Sequence, residues 1–335
     1  MFSSLILALC ATPLVQGLKT TFSHDFPLGS AIENLVVRPS GTILTTDNLK
    51  PHIFSLSPTP NSLPKVIHTF PNAIGASGIT ATSTPELYYV VTGHFNFTDL
   101  TPVPHTYAIH RVSIDRHDRV TSTELAPLDL GQSNGIIHVP DSPYVLIADS
   151  YKGFIYKFDT NTLKMSVYFD NEMLKPQPVQ GITFGVNGFK FHGGYLYFSN
   201  TNRQFIARIK ATGKEEQLQG TPEIVASQAP VDDFIIDEYN GDIYAALQYP
   251  LNGVGYLSHE KYGSVPQTIA GGPDSKDFLG TTAVTWAKDK HGRRPQHGRP
   301  EPRTLVVTVA GDFTQFVTGN FTQGGKVAML HLDEC

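Results

Sequence analysis

The chain has 335 residues, 40% hydrophobic and 16% charged, with 29 glycines and 24 prolines. That apolar content excludes a disordered chain, and so many turn formers exclude a coiled coil and suit an all-β chain better than a helical bundle. With 30 acidic residues against 25 basic ones, the net charge of −5 offers no positive field to a phosphate backbone, so nucleic acid is not expected as a partner.

Met1 to Gly17, MFSSLILALCATPLVQG, carries a short apolar run with small residues at Val15 and Gly17. This is the pattern of a secretory signal peptide over residues 1–17, with the mature chain, 18–335, beginning near Leu18. Cleavage would remove Cys10 and leave Cys335 without an intramolecular partner, so no disulfide framework is expected. No later segment reaches the roughly 20 apolar residues of a membrane-spanning helix. The expected compartment is the secretory pathway, extracellular or lumenal, and the sequons Asn96-Phe97-Thr98 and Asn320-Phe321-Thr322 are glycosylation acceptors consistent with it.

From Glu33 onward, short runs rich in Val, Ile, Tyr and Phe recur between turn residues, as in Tyr88 to Val91, Tyr144 to Ala148, Gly194 to Phe198, Asp242 to Ala246 and Leu305 to Val309. Each follows a related phrase. Counted from Glu33 through Gly78, Asn134, Asn187, Asp232 and Thr282, the intervals are 45, 56, 53, 45 and 50 residues. Six such units fill the mature chain, and a period near fifty points to repeated four-stranded sheets, which close radially into a six-bladed β-propeller without leaving exposed edges. A strand from before Glu33 or after Gly325 would complete the first or last blade. Asn96 to His105 lengthens a connection in the second unit. Lys288 to Arg303, basic and proline-rich but without interleaved aromatics, interrupts the sixth and reads as a solvated loop.

In a propeller the first strand of each blade runs along the channel, so residues at one phase of the repeat converge. Here that phase carries Glu33, Asn134, Asn187, Asp232 and Asp233, oxygen donors suited to a hard cation such as Ca2+, which would also compensate three neighbouring carboxylates. Taken singly, SNG and NG are turn signals and Asp232-Asp233 opens a strand; the shared phase is what joins them. No HExxH, GxSxG or Walker loop is present, which leaves zinc peptidase, serine hydrolase and nucleotide chemistry without support.

On these phrases the chain resembles the six-bladed propellers of the gluconolactonase, paraoxonase and strictosidine synthase superfamily. Glu33 in SAIENLVVRPSG, Asn134 in QSNGIIHVPDS, Asn187 in VNGFKFHGGYLYFSNT and Asp232-Asp233 in VDDFIIDEYNGDIYAA look like the calcium positions of the paraoxonase type, with an acid at Asp233 where that pattern has an amide. His94 in YYVVTGHFN resembles the second histidine of the paraoxonase dyad, whereas Ser77 in GASGITAT stands where the first, water-activating histidine would be. A serine hydroxyl alone is a poor general base. His94 and Ser77 are therefore the candidate catalytic residues, and hydrolysis by that route lacks its base.

The phrases ENLVVR, NGFKFHGGYLYFSNT and DDFIID, with the leader and sequons, look closer to secreted fungal hetero-Diels-Alderases that form tropolone sesquiterpenoids. Such a resemblance implies joining a quinone methide to a terpene alkene, with a small apolar natural product as substrate and no proton base required. A monomer is expected. Two alternatives stay open: a Ca2+-dependent lactonase or esterase, and a non-catalytic propeller that binds a ligand.

Overall fold

The computed structural model describes residues 20–177, 184–213, 217–288 and 303–332. The leader, both cysteines and most of the basic stretch between Lys288 and Arg303 lie outside the described residues. Among those described, six antiparallel four-stranded sheets follow one another around a ring. Their innermost strands are Ile32–Val37, Gly75–Ala81, Ser133–His138, Val186–His192, Val231–Ile236 and Thr281–Trp286, and they define blades one to six. The six-bladed β-propeller expected from the repeat is the observed fold.

Burial explains why each blade reads as it does. The second strands, such as Ile43–Asp47, Tyr144–Asp149 and Ile243–Leu247, are covered on both faces by neighbouring blades and are almost continuously buried, mostly by apolar residues in the last two. Outer strands such as Lys164–Phe169 and Gln217–Ser227 face water along much of their length and mix polar with apolar residues. The apolar core is correspondingly divided into six clusters, one at each junction between adjacent blades. Leu44 and Ile53 of blade one meet Ala76 and Tyr88 of blade two, and Val306 and Met329 of blade six meet Ile32 and Leu35 of blade one. The ring therefore closes on itself.

Closure uses the chain's beginning. Thr20–Asp25 pairs antiparallel with Lys326–Leu332 and supplies the outermost strand of blade six, which settles the alternative left open above. Propeller blades shield their edges this way, since a four-stranded sheet made of both chain ends cannot peel off alone.

All six innermost strands carry a bulge at the same place, between Ile32 and Leu35, Ala76 and Ile79, Ser133 and Ile136, Val186 and Phe189, Val231 and Phe234, and Thr281 and Ala283. A bulge re-aims side chains out of the pleat. The bulged residues are Glu33-Asn34, Ser77-Gly78, Asn134-Gly135, Asn187-Gly188, Asp232-Asp233 and Thr282. The phase counted in the sequence is thus a row of bulges, with one difference: in blade two the residue equivalent to Glu33 is Ser77, one place before Gly78.

Two segments rise out of the repeat. In blade two a small hairpin, Phe95–Asn96 paired with Thr101–Pro102, is inserted between the second and third strands. In blade six a short helix, Phe313–Thr318, fills the equivalent connection. Asp312 caps its start by accepting from the Thr314 amide, and Gly319, at φ 72°, ends it in the left-handed conformation that glycine adopts without strain. Among the described residues no helix is long and apolar enough to cross a membrane.

Candidate functional site

Five of the bulge residues, Glu33, Asn134, Asn187, Asp232 and Thr282, reach one cavity of about 540 Å³ at the mouth of the channel. Three of them are held by the residue that follows the second strand of their own blade. Asn48 Nδ2 donates to Glu33 Oε2 at 2.8 Å, Asn187 Nδ2 donates to Thr201 Oγ1 at 3.0 Å, and Gln248 Nε2 donates to Asp232 Oδ2 at 2.6 Å. These supports were not picked out from the sequence. Their signal was there, since Asn48, Thr201 and Gln248 share a repeat phase of their own, immediately after ILTTD, LYFSN and IYAAL.

The floor is short of positive charge. Burial first, then the charges of Asp232 and Asp233, hold the Glu33 carboxyl well above the usual carboxylate range. Burial likewise raises Asp232, against the pull of the Gln248 amide. Asn187 Oδ1, Asp232 Oδ1 and Gln132 Oε1 are buried and accept no hydrogen bond among the described residues. Asn134 differs: it lines the cavity, and its amide is engaged by no described side chain or backbone group.

Asp233 departs from the converging set. It occupies the second bulge position, where Gly135 and Gly188 stand in blades three and four, and its carboxylate lies over Gly188. Lys190 Nζ donates to both of its oxygens, at 2.6 and 2.8 Å. Asp233 is thus committed to Lys190, although its charge still reaches Glu33. Among the described residues no three His, Cys, Asp or Glu side chains make a metal-holding group. What remains is two carboxylates and two amides, with orphaned oxygens and carboxyls that resist ionisation. Those donors fit a hard cation in kind.

The candidate catalytic pair is not assembled as a dyad. Ser77 is buried, with its hydroxyl hydrogen-bonded to Ser133 and donating to Val91 O at 3.3 Å, beside a minor pocket that adjoins the main cavity. His94 stands at the position that in blades one, four and five supplies Asn48, Thr201 and Gln248. It is half-buried, its backbone is bonded to Thr106 Oγ1 and Val103 N, and its ring is not part of the cavity lining.

Above the polar floor the wall is aromatic. Phe97 from the hairpin, Phe313 and Phe316 from the helix, and Phe184 from the approach to blade four all line the cavity. Phe313 and Phe316 share one helix face, three residues apart. The sequons lie on these same two insertions, Asn96 in the hairpin and Asn320 just beyond the helix, the latter exposed. No histidine, lysine, arginine or cysteine is part of the lining among the described residues.

The chain is 26% identical over 321 residues to a Sarocladium schorii protein named "Putative hetero-Diels-Alderase asR5", covering 86% of this chain and 77% of that one. The resemblance read from the sequence holds. Among solved structures, regucalcin of Agrobacterium tumefaciens, titled a calcium-binding protein, is 16% identical with a TM-score of 0.58, covering 93% of this chain and 97% of that one. A gluconolactonase-family protein is 13% identical with a TM-score of 0.57, covering 96% and 98%. At such identities the solved structures carry the fold alone. No family model matches the chain.

Proposed function

We propose that the protein is an enzyme of fungal secondary metabolism that catalyses a hetero-Diels-Alder cycloaddition between a quinone methide and a terpene alkene. The observation that carries this reading is a single cavity with phenylalanines above, amide and carboxyl oxygens below, and no imidazole, amine or thiol among its described lining. The similarity to the Sarocladium schorii protein supports it.

The reaction asks for nothing the cavity lacks. The oxygen and terminal carbon of the conjugated carbonyl each bond to one alkene carbon, so three π bonds become one π bond and two σ bonds, and no proton leaves. The enzyme's part is to hold the two partners in register and to stabilise charge that builds on the carbonyl oxygen. In this reading the Asn134 amide, which lines the cavity, donates to that oxygen. The phenylalanines exclude water and orient the apolar partners. Glu33, Asn134, Asn187 and Asp232 would hold a divalent cation such as Ca2+, with Asp233 committed to Lys190. When bound, such an ion offsets the buried carboxylate charge and polarises a carbonyl.

The orphaned oxygens favour a second reading, a Ca2+-dependent lactonase or esterase, in which the same floor orients an ester carbonyl. Ser77 and His94 would then belong to the machinery, although they lie outside the main lining. Under either reading the chain is a monomeric propeller domain that follows a cleaved leader, enters the secretory pathway and carries glycans on Asn96 and Asn320. The decisive experiment offers the purified glycosylated protein an ortho-quinone methide generated in situ with a cyclic terpene alkene, and in parallel an aryl lactone, with and without chelator. Stereoselective cycloadduct above the uncatalysed background, with no lactone turnover, is the expected result. Chelator-sensitive lactone hydrolysis and a racemic adduct at background rate would replace the first reading by the second.

A further inference from the structure

The phenylalanines of the cavity wall are not required by the propeller. Phe97, Phe313 and Phe316 come from insertions outside the repeat, the hairpin of blade two and the helix of blade six, which meet across the mouth. Aliphatic side chains would cover apolar surface equally well there. Instead the segments present an arc of rings, edge to face or tilted: Phe97 lies 6.2 Å from Phe313 at 67° and 5.8 Å from Phe316 at a tilt of 54°, while Phe313 and Phe316 are 5.7 Å apart at 89°. Phe95 continues the arc, 5.2 Å from Phe97 and 6.0 Å from Phe184. Phe95 is buried as the support, while Phe97, Phe184, Phe313 and Phe316 stay half-buried and line the cavity.

Rings packed edge to face keep a face or edge available for a third ring, and aromatic partners gain from that geometry beyond the area they bury. Below the arc the floor offers the uncommitted Asn134 amide and three buried oxygens without donors. A cavity of about 540 Å³ is large enough for a ligand of two or three fused rings. We infer that Phe97, Phe313 and Phe316 are specificity-determining residues that select a planar, conjugated ligand bearing an oxygen headgroup, with the rings against the phenylalanines and the oxygen toward Asn134. This deepens the proposed function, and rests on its placement of the substrate in this cavity but not on the reaction.

The inference is tested by binding, apart from turnover. The probes are 2-naphthol and its saturated counterpart decahydro-2-naphthol, titrated calorimetrically into the full glycosylated protein. They share a headgroup and an approximate size and differ in conjugation. Wild type should bind the aromatic probe about tenfold more tightly, as expected for new ring contacts. Phe97→Leu and Phe316→Leu, on separate insertions and each keeping an apolar side chain, should bring that ratio to about threefold or less. Phe154→Leu, outside the cavity lining, should leave it unchanged. Equal affinities in wild type, a ratio unmoved in both insertion variants, or no binding of either probe would overturn the inference. A protein that keeps the preference and forms no cycloadduct upholds it and overturns the reaction instead.

Discussion

Asn134 enters the cavity with an uncommitted amide, so its loss should tell on the transition state more than on substrate affinity. Under the proposed reaction, Asn134→Ala should lower kcat by about a hundredfold, as removal of one preorganised donor does elsewhere, with little change in KM. Single-turnover product formation measures it, and an equal fall in affinity would assign Asn134 to binding alone. His110 makes a prediction about stability. Burial, with the neighbouring His68 adding to it, holds its imidazole down from 6.5 to about 4, and its Nε2 is hydrogen-bonded to Thr92 Oγ1 at 3.0 Å. The unfolded chain therefore takes up a proton near pH 6.5 that the folded chain refuses until about pH 4. Stability conferred by neutral His110 is complete above that window and falls as the pH drops through it. Denaturant midpoints measured from pH 7 to 4 should show the decline, and His110→Gln should flatten it.

The inner-strand bulge is the element that makes a site out of a sheet. In every blade but the second its first residue lines the mouth cavity, and in blades two to four its second packs against the next blade, which is why Gly78, Gly135 and Gly188 have no room for a side chain. A Cβ on Gly188 would fall 2.1 Å from Asp233 Oδ1 and 2.7 Å from its Cα. Gly188→Ala should cost about 2 kcal/mol through overpacking and displace the Lys190 ion pair. Urea titration gives the first number. The sequence had marked this row by its carboxylates and amides and had counted Gly78 into it. A bulge shifts phase by one residue, so a count of intervals alone could not separate Ser77 from Gly78, or Asp232, which faces the cavity, from Asp233, which faces Lys190.

Across the whole molecule, Glu33, Asn134, Asn187 and Asp232 come from blades one, three, four and five, so an ion held there would tie four blades together at the axis, beyond the Lys190–Asp233 ion pair that already joins blades four and five. If the floor binds Ca2+, wild-type melting temperature should rise with added Ca2+ and fall with chelator, because a ligand that binds only the folded state stabilises it by mass action. Asp232→Ala should abolish the response and the bound metal, as read by atomic absorption. Calcium dependence unchanged in that variant would place the ion elsewhere.

Repeat spacing, turn residues and apolar runs determined the six-bladed fold, because each blade is a local hairpin series whose pattern is written within about fifty residues. The same periodicity named Glu33, Asn134, Asn187 and Asp232, since residues in phase must meet at the axis of any closed ring. Only the tertiary structure decided the rest. Asp233 turns away because Lys190 is within reach on the adjacent blade, and His94 stays out of the lining although it shares the position of Asn48, Thr201 and Gln248. Apart from Phe184, the aromatic wall belongs to two insertions, more than two hundred residues apart in sequence, that follow no repeat. No period relates Phe97 to Phe313 and Phe316; the closure of blade six by Thr20–Asp25 and the packing of the ring bring them together.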